Sequence, residues 1–145
     1  MSFVLVRAAI LSKLNDRKTA GVLGEVYDGK QDEHKLEFKN YPVVELIRSG
    51  NENDYLTNHE DLPVYIFKIW IYTEIENQGR PTAEKSIDPV LDDLLYQFAH
   101  DRTLGGVCDG GVEPAITDHG EVPWREKLHY ATILTLKCRR VSDLS

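Results

Sequence analysis

The chain is expected to fold as an α+β domain, a mostly antiparallel β-sheet with two α-helices packed on one face. Three observations predict it. Apolar residues recur at the helical period twice, at Phe3, Val6, Ile10 and Leu14 and again at Ile87, Val90, Leu91, Leu94, Leu95 and Phe98. They alternate at the strand period twice, in Val64 to Ile75 and in Leu128 to Val141. The first three strand candidates follow one another without an intervening helix, which favours antiparallel pairing.

Taken in order, the first helix has Ser2 available as a cap and Asn15 and Asp16 as stop residues. Ala20 to Tyr27 reads as a short strand weakened by Gly21 and Gly24, and Asp28-Gly29 as a turn. Lys30 to Lys39 is highly charged and reads as a solvated loop or hairpin tip. Tyr41 to Ile47 is a second strand, opened by Pro42. Arg48 to Leu62 is polar and about fifteen residues long, beyond the usual connection, which makes it a candidate interaction loop.

In Val64 to Ile75 one face carries Tyr65, Phe67, Ile69, Ile71 and Ile75, with Thr73 as its polar interruption. The other face carries Trp70 and Tyr72, which are large side chains to leave to water. Either the chain covers that face itself or a neighbouring subunit does, and the sequence leaves both readings open. The second helix spans Thr82 to His100, with Pro89 either kinking it or marking its true start behind an Asp88 cap. Asp92 and Asp93 are expected to face water. Asp101 to Lys127 reads as irregular apart from a short strand, Val112 to Ile116, and Gly105 to Lys127 is a second candidate interaction segment. Tyr130, Thr132, Leu134, Leu136 and Cys138 share one face of the last strand.

The length of 145 residues fits one domain with a sizeable core and no staples. The net charge of −7 argues against a surface that grips duplex DNA, which needs clustered cations. It is compatible with a surface past which DNA slides. The first fifteen residues lack a signal-peptide pattern, and no apolar run approaches a membrane span of roughly 18 residues. An intracellular protein with no membrane association is expected. Cys108 and Cys138 make neither a CxxC pair nor a disulfide framework.

Motifs for chemistry are sparse. His34, His59, His100, His119 and His129 form no HxH or HxxxH pair, so no metal site is expected. There is no phosphate-binding glycine loop, and no cofactor is expected. Adjacent carboxylates such as Asp92 and Asp93 do not face each other on a helix, and so form no acid–base dyad. One catalytic alternative stands: Cys108, between two glycine pairs, as a thiol nucleophile with His119 or His129 as base.

The layout also carries a resemblance. After the amphipathic first helix come Val26-Tyr27-Asp28-Gly29, then Pro42-Val43-Val44-Glu45, then a polar loop and a long strand. Arg80-Pro81-Thr82-Ala83-Glu84 precedes the second helix, and Asp101-Arg102-Thr103-Leu104-Gly105-Gly106 follows it. This order resembles the tail terminator (tail completion) family of long-tailed bacteriophages, similar to the lambda-type proteins. The resemblance spans nearly the whole chain in layout, and it implies a structural virion protein rather than an enzyme. It implies a ring, hexameric in that family, that caps the tail tube, stops tube polymerisation and meets the head connector. The implied partners are further copies of the chain, the tail tube protein and the connector or neck protein, with genomic DNA passing through without sequence-specific binding. The implied location is the head-proximal end of the virion tail, after assembly in the bacterial cytoplasm. A head–tail connector or neck protein is the alternative of the same class.

A closed ring needs two different patches per subunit. The interface residues expected from the loops and the aromatic face are Asn53, Asp54, Tyr55, Asp61, Trp70, Tyr72, Val112 and Trp124. Asp28, Asp32 and Glu33 of the charged segment are the expected lumen-lining acids.

Overall fold

A computed structural model describes residues 2–33, 35–55, 61–75 and 78–141, and for residues 2, 50–55 and 61–63 the backbone alone. Two helices and five strands follow in the order α1 (Ser2–Thr19), β1 (Glu25–Asp28), β2 (Val43–Tyr55), β3 (Asp61–Glu74), α2 (Arg80–His100), β4 (Gly111–Trp124) and β5 (Lys127–Arg139). The strands form one sheet in the order β1-β2-β3-β5-β4. Every pairing is antiparallel except β1 with β2.

Both helices lie on one face, as their stripes require. Val6, Ile10 and Leu14 of α1 and Ala83, Ile87, Val90, Leu94 and Phe98 of α2 are buried against Val44, Leu46, Phe67, Ile69, Ile71, Leu134 and Leu136 of the sheet. At roughly 1.5–3 kcal/mol per buried aliphatic or aromatic side chain, this layer dominates stability. Thr73 fits that face because its hydroxyl donates to the Ala83 carbonyl at 3.0 Å and ties β3 to the first turn of α2.

Several elements differ from the expectation. The first helix does not stop at Asn15 or Asp16. It runs to Thr19 and ends on Gly21, whose φ of +85° lets Gly21 N–H bond the Lys18 carbonyl and Val22 N–H the Arg17 carbonyl. The strand expected over 20–27 shrinks to four residues for that reason. The second helix starts at Arg80, with Pro81 in its first turn, so neither Thr82 nor Asp88 begins it. Pro89 sits inside the helix on its exposed side. Asp93 does not point to water: Arg17 of α1 grips it through two bonds of 2.9 and 3.1 Å. Asp92 is exposed.

The largest departures are strands where loops were expected. The polar stretch after Arg48 continues β2, paired with β3 as far as Tyr55 opposite Asp61. The segment read as irregular after Gly110 is a 14-residue strand, β4, broken by a bulge between Ile116 and Asp118. Arg125 and Glu126, both at positive φ, turn it into β5.

The charged segment after Gly29 is no hairpin tip either. Because β1 and β2 are parallel, it must cross over the sheet, and it crosses the face opposite the helices. There Phe38 is buried with Val43, Tyr72, Trp124 and Ala131 in a second, smaller core. Trp124 stacks on Phe38 with ring centroids 4.1 Å apart and donates its indole N–H to the Leu36 carbonyl at 2.9 Å.

Candidate functional site

Two buried titratable groups, Glu45 and His129, lie under this crossover. Glu45 interrupts the apolar run Val43-Val44-Glu45-Leu46-Ile47 and is fully buried. Its carboxylate accepts from Tyr72 Oη at 2.6 Å and from Gln31 N–H at 2.7 Å, and Lys30 Nζ lies 3.4 Å away. The Lys30 ammonium stands over three rings, 5.4 Å from Trp70, 5.9 Å from Tyr72 and 5.0 Å from Trp124. Burial first, then the Glu45 carboxylate, pushes the Tyr72 phenol well above its ordinary range. Next to this group His129 is buried, with Nδ1 facing the Lys127 carbonyl at 3.1 Å and Nε2 facing Tyr41 Oη at 2.7 Å. Nδ1 therefore donates to that carbonyl, and Nε2 shares a hydrogen bond with the Tyr41 hydroxyl, which also reaches the Phe38 carbonyl at 3.3 Å. Lys30, Gln31 and Tyr41 hold the crossover on the sheet through these contacts, while the Tyr72–Glu45 and His129–Lys127 bonds lie within the sheet itself.

This placement redistributes the expected interface residues. Tyr72, Val112 and Trp124 are buried inside the chain and offer nothing to a partner in the folded protein. Tyr72 and Trp124 pack under the crossover, and Val112 packs against the helices. Trp70 remains half-buried, beside Ile133 and the bulged part of β4, in a pocket of about 140 Å³. Asn53, Asp54, Tyr55 and Asp61 lie on the far end of the β2–β3 hairpin, and their side chains fall outside the described residues.

The expected lumen acids are divided between β1 and the crossover. Asp28 ends β1 and is ion-paired with Arg7 of α1. Glu33 belongs to the crossover and holds the β4–β5 turn, accepting from Arg125 N–H at 3.2 Å. The Asp32 carbonyl caps the local turn by accepting from Lys35 and Leu36 N–H.

The thiol expectation meets a geometric obstacle. Cys108 and Cys138 are both buried and hydrogen-bonded to each other. That bond lowers the Cys108 pKa, with a further push from Arg140, and raises that of Cys138. His119 pairs with Thr132 and His129 lies on β5 itself, six and nine positions from Cys138. At about 3.3 Å per residue they are roughly 20 and 30 Å away along the strand, beyond any proton transfer. Among the described residues no group of His, Cys, Asp and Glu is placed to hold a metal ion, and no helix is long and apolar enough to cross a membrane.

Two surface features were not legible in the sequence. The first is a ribbon. β1 accompanies β2 only to Leu46, and β5 accompanies β3 only from Val64 on, so residues 53–55 and 61–63 form a two-stranded extension beyond the sheet. The second is a groove of about 330 Å³ between α1 and the start of that ribbon, lined by Phe3, Val4, Arg7, Leu11, Asp28 and Arg48.

No protein-family model and no curated protein matches the chain.

Proposed function

We propose that the chain is a structural assembly subunit that closes into a ring, and specifically a tail terminator of a long-tailed phage. In that role the ring would cap the tail tube, halt its polymerisation and present a surface to the head connector. The observation that carries the reading is the ribbon. A two-stranded hairpin is marginal in water on its own, and from Ile47 onward the outer edge of β2 has no strand beside it among the described residues. Such an edge is either protected or used for pairing and contact with another chain. The layout resemblance supplies the specific role, and the chain's negative charge suits a channel through which DNA moves without sticking.

The test is solution mass by light scattering over a concentration series, with negative-stain images. A species near six times 16.5 kDa with a central hole supports the ring. A monomer at every concentration that also fails to bind purified tube ends overturns the reading.

A further inference from the structure

The groove beside α1 differs from the rest of this acidic surface. Its floor is apolar, made by Phe3 and Leu11, and Val4 stands at its rim with 66% of its surface exposed. Arg7 is ion-paired with Asp28 across it. Arg48 is exposed, has its guanidinium held 5.0 Å above the Phe3 ring, and has no carboxylate partner among the described residues. The groove is therefore an apolar slot with one net positive charge, in a chain of net charge −7. Its complement is an acidic segment that also carries apolar side chains.

The chain holds such a segment. Residues 53–55 and 61–63, the outer ribbon, contain Asp54 and Asp61, with Tyr55, Leu62 and Pro63 and no Lys or Arg. The ribbon of one molecule cannot fold back into its own groove. Arg48 lies below it on β2, and six residues, roughly 20 Å, separate Arg48 from Asp54. A second copy can present it.

We propose that the groove formed by Phe3, Val4, Arg7, Leu11 and Arg48 receives the acidic β2–β3 ribbon of a neighbouring copy of this chain. The contact rests on the assembly reading above and deepens it. Ribbon and groove are different surfaces of one subunit, so the contact is heterologous and repeats around an axis, which is the condition for a closed ring. Opposite charges bring the surfaces together and set their register, and the apolar floor supplies contact area.

Charge exchange tests it. Arg48→Glu alone and Asp54→Lys with Asp61→Lys should each weaken assembly at least about tenfold in light scattering. The triple variant Arg48→Glu, Asp54→Lys, Asp61→Lys should recover it. Val4→Asp, at an exposed position, should weaken assembly with no change in melting temperature. Circular dichroism melting shows that each variant is folded. Folded single-site variants that assemble like the parent overturn the groove contact while leaving the ring intact. A triple variant no better than its parts also overturns it. A parent chain that stays monomeric overturns this contact, and the assembly reading falls only if tube ends are not bound either.

Discussion

Tyr72 Oη donates to the buried carboxylate of Glu45 at 2.6 Å, linking diagonal neighbours of β2 and β3 on the face away from the helices. A carboxylate with no water access is tolerated only when its partners replace hydration, and here the Tyr72 hydroxyl, the Gln31 amide and the Lys30 ammonium do so. Tyr72→Phe removes the shortest of these bonds and should cost about 1–2 kcal/mol. Glu45→Ala, which leaves the hydroxyl orphaned and opens a cavity, should cost about 2–3 kcal/mol or more. Urea unfolding measures both.

The same pair sets an alkaline limit. The folded-state pKa of Tyr72 lies above its unfolded value near 10, so the folded state holds that proton more tightly. The resulting stability is complete below pH 10 and is lost as pH rises above it. Melting temperature should fall steeply above pH 10, and Tyr72→Phe should flatten that fall. An identical alkaline slope in the variant would count against the assignment.

Arg17 and Asp93 join the two helices through a paired, half-buried contact, with side chains 21% and 22% exposed. Asp93→Ala should lower stability by about 1 kcal/mol, while Asp92→Ala, one residue away and exposed, should leave it unchanged. Comparing the two midpoints separates this contact from a general effect of removing acid from α2.

Gly24 lies where the chain enters β1. A Cβ there would stand 1.9 Å from the Asn40 carbonyl oxygen and 2.4 Å from its carbon. Gly24→Ala should force the crossover away from β1 at a cost of about 3 kcal/mol or more, read as a lowered melting temperature. Gly21→Ala, with open space around its Cβ but a φ of +85°, should cost about 1 kcal/mol.

Cys108 has the thiol favoured toward its ionised form, yet both cysteines are fully buried. Labelling of the native protein by a thiol reagent at neutral pH should be at least about a hundredfold slower than of the unfolded chain, because it awaits local opening. Rapid labelling with acyl transfer would revive the nucleophile reading.

Helix stripes and strand alternation made the fold class legible, because a stripe at 3.6 residues and an alternation at 2 each bury one face only one way. Phe67, Ile69 and Ile71, and with them Val6, Ile10 and Leu14, lie in the core where that periodicity assigns them. Glu45 drew no expectation from the sequence, although it is a lone acid in an aliphatic run, because the donors that surround it come from Lys30, Gln31 and Tyr72, far apart in sequence.

The remainder belonged to the tertiary structure. Residues 48–55 and 111–124 are polar or glycine-rich, and become strands because a neighbouring strand satisfies their backbone, which local composition cannot report. The crossover carries enough charge to look solvated, yet Phe38 and Leu36 anchor it, since a parallel β1–β2 pair obliges the connection to cross the sheet. The Arg7–Arg48 groove depends on two residues 41 positions apart meeting at one helix end. Periodicity is a property of a segment and survives in the sequence. Pairing, crossing and the meeting of distant charges are properties of the packed chain, and only its closure into one sheet decided them.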